Sequence, residues 1–300
     1  MPNCLAWNLP LPLCLASVQE PLVPPVYIAG GIYLAVIFAG FLVDFFLCFR
    51  FLSSPFGWKL PAERIRSRPW QARDALLLVL FLLLIQVLAG AAHWAAVKLG
   101  WLAAGVRDMD AALVQGVMFH GVALLAVWIF IRCRRGSWQE AFGLDFRGLK
   151  SAVGQGLVAY VGIVPLVVAT SLMSQIFFYA AGYPVTLQEV VNIFIESQSG
   201  WSLVLLVVLA VVVAPVVEET LFRGILLPVL MKKIGTGAAV AAVSLVFAGI
   251  HQHLPSFAPL FVLAVALSLL YIHSGSLWAP IVLHSIFNGV SICVIVLAAP

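Results

Sequence analysis

Apolar residues fall in eight long runs, at residues 25–49, 74–97, 111–132, 151–180, 201–230, 234–252, 257–273 and 277–297. Each has, or nearly has, the roughly 20 residues a helix needs to cross the hydrocarbon of a bilayer. The seventh is at the short limit. Hydrocarbon offers no water to free N–H and C=O groups, and a helix satisfies its own. The pattern therefore predicts an all-α, polytopic membrane protein with about eight transmembrane helices. Three regions are expected: an irregular, Pro-rich lead-in over 1–24, a first set of membrane helices over 25–180, and a second membrane core over 200–297.

The breaks between the runs orient the chain. The loop after the first run carries Arg50, Lys59, Arg64, Arg66, Arg68 and Arg73. The loop after the third carries Arg132, Arg134, Arg135, Arg147 and Lys150, and the fifth run ends at Lys232-Lys233. The loop after the second holds Lys98 and Arg107. The segment 180–200 holds Glu189 and Glu196 and no basic residue. Alternate loops are thus basic, and basic loops stay on the cytoplasmic side. Both termini are expected outside. Residues 138–150 mix apolar and polar positions at roughly helical spacing, which fits either a short interfacial helix or a solvated loop.

Composition agrees with this reading. The 300 residues are 63% hydrophobic and 9% charged, against roughly 25% charged in soluble domains. That excludes a soluble enzyme on a single anchor. The net charge of +4 sits in loops, with no basic stripe interleaved with aromatics, so no nucleic-acid partner is expected. Cys4, Cys14, Cys48, Cys133 and Cys293 lack metal-binding spacing and read as small apolar fillers. No basic residue precedes Arg50, so a secretory leader is not expected.

Against this apolar background, Glu218-Glu-Thr-Leu-Phe-Arg223 stands out. A charge near the centre of a span costs about 2.5–3.5 kcal/mol on insertion scales, so these three must face protein or water. Glu219 and Arg223 are four apart in the favourable order for an ion pair. Glu218 is rotated about 100° from Glu219 and suits a general base. The same residues also fit an ion-pair network with no chemistry. The next run carries Phe247-Ala-Gly-Ile-His251, and the last carries His284-Ser-Ile-Phe-Asn288. His284 and Asn288 share a helix face, where two donors suit an oxyanion hole or simply bridge helices. A rise of 1.5 Å per residue puts Glu218 roughly 22 Å and His251 roughly 27 Å from the Lys232-Lys233 turn. His284 lies roughly 10–14 Å from the 274–276 turn. Convergence then requires tilt, or kinks at Gly224 and Pro228.

Glu-Glu-x-x-x-Arg, then Phe-x-x-x-His, then His-x-x-x-Asn, on successive membrane helices, resembles the CPBP family. This is the CAAX protease and bacteriocin-processing, or Abi, family, which includes the type II CAAX prenyl endopeptidases. Phe222-Arg-Gly224 and Gly275-Ser-Leu-Trp-Ala-Pro280 add to the likeness, which covers roughly 200–292. The first half of the chain shares only hydropathy and Phe142-Gly-Leu-Asp145. The resemblance implies a catalytic membrane core in which Glu218 activates water with help from His251. It implies that Glu219 and Arg223 hold the site and that His284 and Asn288 stabilise an oxyanion. No cofactor is favoured, although Glu218, His251 and His284 make a possible zinc set. The implied substrate is a membrane-associated or lipidated protein. Two other readings stand beside it: a non-catalytic scaffold or immunity protein of the same fold, and a transporter using Glu218 as proton carrier. No inverted repeat supports the transporter.

Overall fold

The computed structural model describes residues 24–53, 59–100, 108–133, 136–183 and 200–298. The expected lead-in over 1–24 lies almost entirely outside these residues. The described residues are helical and contain no strand. In chain order, α1 is Pro24–Ser53, α2 Lys59–Arg66, α3 Ala72–Lys98, α4 Asp108–Cys133, α5 Trp138–Phe142 and α6 Leu149–Ala180. The interrupted helix α7 covers Gly200–Ile234. After it come α8 Thr236–Ile250, α9 Leu254–Ser274 and α10 Trp278–Ala298.

Among the described residues, five helices are long and apolar enough to cross a membrane, and three shorter apolar stretches lie in α1, α8 and α10. This is an integral membrane protein. Burial is inverted relative to a soluble bundle. Leu76, Leu77, Leu80, Leu83 and Leu84 of α3 are exposed, whereas Glu219 and Arg223 are fully buried. The apolar outer face is the one that lipid solvates.

Helix α6 is the spine, with α1, α9 and α10 packed along it and α8 against α9. Its contacts are close because the facing residues are small. A Cβ at Gly156 would lie 2.7 Å from Val282, and one at Gly40 would lie 2.4 Å from the Val161 carbonyl oxygen. Small residues at crossings let membrane helices approach this way. The α3–α4 pair leans on α7.

The loops after the first, third, fifth and seventh spans meet at one end of the bundle. Arg66 donates to Thr236 Oγ1 at 2.8 Å. Lys232 Nζ donates to the carbonyls of Arg68 and Trp70. Arg68 donates to the carbonyls of Gln139, Glu140 and Gly275. Within residues 138–150 the short helix α5 covers only Trp138–Phe142; a non-helical stretch and a 3-10 turn at Phe146–Gly148 follow, and α6 begins at Leu149. Ser137 and Glu140 form a capping box, and Gly143 ends α5 in the left-handed region at φ 73°. It does not merely lie on the surface, because Phe142 is fully buried.

Candidate active site

Helix α7 is α-helical over Gly200–Val208, widens to a π-helix over Leu209–Val213 and returns to α over Ala214–Glu219. It widens again over Thr220–Leu226 and finishes as α over Leu227–Ile234. Each π segment ends two residues before a proline, Pro215 in one case and Pro228 in the other. Proline supplies no N–H to the preceding turn. The preceding N–H groups reach back five residues instead, Ala214 to the Leu209 carbonyl and Leu227 to that of Phe222. Such widenings recur at functional sites. Here they flank Glu218-Glu219 on both sides.

Glu219 is the centre of the polar cluster. Its Oε1 accepts from Arg223 at 2.9 Å and from His284 Nδ1 at 2.8 Å. The Arg223 guanidinium also donates to the Ala264 carbonyl at 3.0 Å and to Ser268 Oγ at 3.4 Å. Its charge lies 4.6 Å from the centroid of the Phe247 ring. A fully buried cation is thus held by a carboxylate, two acceptors on α9 and an aromatic face, which compensates the loss of water.

His284 is fixed by this arrangement. A carboxylate neutralised by Arg223 accepts and does not donate, so the hydrogen between Glu219 and His284 belongs to Nδ1. Nε2 is then left for other chemistry. It faces Glu218 Oε2 at 3.8 Å. Glu218 makes no hydrogen bond through Oε2, and its side chain keeps 23% exposure, against none for Glu219. The two adjacent acids therefore differ in circumstance: Glu219 is fully buried and bonded through Oε1 to Arg223 and His284, whereas Glu218 is partly exposed as a side chain; the Oε2 atoms of both are buried and accept no hydrogen bond.

The other two sequence-predicted residues lie around this core. His251 caps the end of α8 and is half-buried. Its Nδ1 donates to the Phe247 carbonyl at 2.7 Å, which leaves Nε2 as an acceptor in the neutral ring. Phe247 contacts both histidines, with ring centroids 4.9 Å from His251 and 5.8 Å from His284. Asn288 Nδ2 donates to the Ala210 carbonyl at 2.9 Å, inside the first π segment.

The 10 Å depth mismatch expected from ideal straight helices does not separate Glu219 from His284, which are bonded directly. Residues that the motifs did not name also build the site: Ser268 and the Ala264 carbonyl hold Arg223, and Pro215 shapes α7. Pro215 was the one visible in sequence, as a proline inside a span. Among the described residues, no group of three or more His, Cys, Asp or Glu side chains is arranged to hold a metal ion. Glu218, His251 and His284 are not among such a group.

Residues 200–290 match the family model described as Type II CAAX prenyl endopeptidase Rce1-like. This region is similar to an Rce1-like domain. It contains all of Glu218, Glu219, Arg223, His251, His284 and Asn288, and it runs from the start of α7 into α10. No curated protein and no solved structure matches the chain. The match supports a CAAX-type intramembrane protease fold for the second membrane core.

Proposed function

We propose that this protein is an intramembrane endopeptidase that hydrolyses a peptide bond of a membrane-associated or lipidated, CAAX-like substrate. The observation that carries the reading is the shared Glu219 oxygen. By binding Arg223 and His284 together, it leaves His284 Nε2 facing the neighbouring, partly exposed carboxylate of Glu218 at 3.8 Å. A water bonded to both would sit about 2.8 Å from each.

The chemistry follows from where hydrogens can go. Glu218 takes a proton from water as the oxygen attacks the scissile carbonyl. His284 already uses its Nδ1–H as a hydrogen-bond donor to Glu219, so it donates to the oxyanion from Nε2 only as the imidazolium. An imidazolium beside an ionised Glu218, next to the Arg223–Glu219 pair, leaves the cluster electrically neutral. Asn288 adds its second N–H, since one is bound to Ala210. Glu218 then returns its proton to the leaving nitrogen, giving a carboxylic acid and an amine, which exchange a proton to become carboxylate and ammonium. His251 assists through Nε2, which its bond to Phe247 keeps free to accept. No metal enters this scheme.

The rival reading, a non-catalytic scaffold or immunity protein of the same fold, draws on Asn288, whose bond to Ala210 serves structure alone. Glu218→Gln separates the two. As a protease, the protein loses all cleavage while inserting and purifying normally. Full activity in that variant overturns the general base.

The protein is further proposed to lie in a bacterial inner membrane, with loops 50–73 and 132–150 cytoplasmic and both termini outside. The meeting of those loops with the 232–236 and 274–276 turns at one end supports the alternation.

A further inference from the structure

We infer that Phe142 is a positioning residue that sets the Glu219–His284 contact from outside the site. This rests on the protease reading, but its test does not depend on that reading alone. The Phe142 ring lies directly on the backbone of the second π segment. A Cβ at Gly224, next to Arg223, would fall 2.6 Å from Phe142 Cδ1 and 2.7 Å from Cε1. The ring is fully buried and is stacked on Trp70 at 5.4 Å, with Trp138 at 5.4 Å on another side.

The same residue grips the start of α10. Its carbonyl accepts from Leu277 N at 3.1 Å, and Leu277 also approaches Gly224. Arg68 ties the carbonyls of Gln139 and Glu140 in α5 to that of Gly275. Gly143 follows in the left-handed region, where a Cβ would fall 2.1 Å from the Gly275 oxygen. The α5 plug therefore touches both halves of the site. One is the π segment carrying Arg223, and the other is the turn that launches His284. A π segment has one residue more per turn than α needs, and closing it would rotate its residues relative to α10. Phe142 seated in the Gly224 notch opposes that closure.

The test uses the full chain in nanodiscs with Phe142→Ala, Phe142→Leu, Gly224→Ala and the Phe142→Ala/Gly224→Ala pair. Two quantities are read: kcat and KM on a cleaved peptide, and the 15N-resolved Nδ1–H signal of His284, assigned with His284→Gln. Displacement of about 1 Å by a remote change costs about 10²-fold. Phe142→Ala and Gly224→Ala are each expected to lower kcat by that order with KM unchanged, and to shift the His284 signal. Phe142→Leu is expected to retain more of both. In the pair, the new methyl occupies part of the space the ring leaves, and kcat and the signal recover in part. If Phe142→Ala does not fold, Phe142→Leu and Gly224→Ala carry the same test. Wild-type kcat and His284 signal in folded Phe142→Leu and Gly224→Ala, with only the melting temperature lowered, would overturn the inference. If the wild type cleaves nothing, the protease reading fails, and the His284 signal alone decides the positioning role.

Discussion

Asn288 donates its amide hydrogen to the Ala210 carbonyl at 2.9 Å, an acceptor that Pro215 leaves without a helical donor. The N–H of Ala214 is directed to Leu209, and position 215, which would serve Ala210 in a π turn, has none. A helix from the far end of the domain thus completes the backbone bonding of α7. In hydrocarbon an unpaired carbonyl has no water to turn to.

That relationship predicts a coupling between two residues far apart in sequence. Asn288→Ala is expected to lower stability by about 1 kcal/mol, typical of an interhelical membrane hydrogen bond. In a Pro215→Ala background the cost should shrink, because residue 215 then supplies its own N–H. Unfolding of the four proteins in a double-mutant cycle measures the coupling. Equal costs in both backgrounds would show that the Asn288 bond is not a response to Pro215. For activity, Asn288→Ala should reduce turnover by about 10²–10³-fold with little change in KM, as loss of one oxyanion donor does. Weakened binding with turnover intact would make Asn288 a packing residue.

The two adjacent glutamates should respond oppositely to the same substitution. Glu218→Gln removes the partly exposed carboxylate and should abolish cleavage while leaving the fold intact. Glu219→Gln and Arg223→Met each strand a buried charge, at a cost of about 3–5 kcal/mol. They should lower the yield of folded protein before activity is even considered. Detergent-resistant folded yield and cleavage, measured on all three, check the division. A stable Glu219→Gln protein would mean that Arg223 is held well enough by Ala264, Ser268 and Phe247.

How much of this was legible in the sequence differs from part to part. The eight apolar runs correspond to helices whose ends lie within a few residues of those expected, because hydrocarbon enforces helix over any run of that length. The Glu219–Arg223 pair follows from spacing within one helix. The direct bond between Glu219 and His284 joins residues 65 apart and depends on how α7 is distorted, which regular 1.5 Å steps do not capture. The widenings themselves had a signal, prolines at 215 and 228, but periodicity does not say whether proline kinks a helix or widens it. The burial of Phe142 was hidden because a five-residue helix between polar neighbours reads as surface.

Phe247 should matter beyond its volume. Its ring contacts Phe222, Arg223, His251 and His284 at once. Phe247→Ala is expected to cost about 3–5 kcal/mol as a buried aromatic truncation. Phe247→Leu keeps most of the volume but loses the π face over Arg223 and the edge against His284. It should fold, with turnover lowered and the Arg223 contact worth about 1–2 kcal/mol less. Thermal unfolding and kcat of the two variants separate volume from ring chemistry. Wild-type turnover in Phe247→Leu would reduce Phe247 to filler.

The proposed scheme places charge where a Lewis acid would otherwise be needed: an imidazolium at His284, held by Glu219, beside an ionised Glu218. The histidine nitrogens nearest the chain's own acceptors are already spoken for, Nδ1 of His251 by the Phe247 carbonyl and Nδ1 of His284 by Glu219. Glu218, His251 and His284 are not arranged as a group that could hold a metal ion among the described residues, so a zinc ion bound by all three would require the site to rearrange. Cleavage is therefore expected to survive exhaustive treatment with a chelator, and elemental analysis of the purified wild type should find no stoichiometric transition metal. His284→Ala should abolish turnover without changing the metal content. If the wild type instead carries one metal per chain that His284→Ala and Glu218→Gln both strip, and activity returns only when that metal is restored, Glu218 is a ligand and the carboxylate-activated water proposed here is wrong.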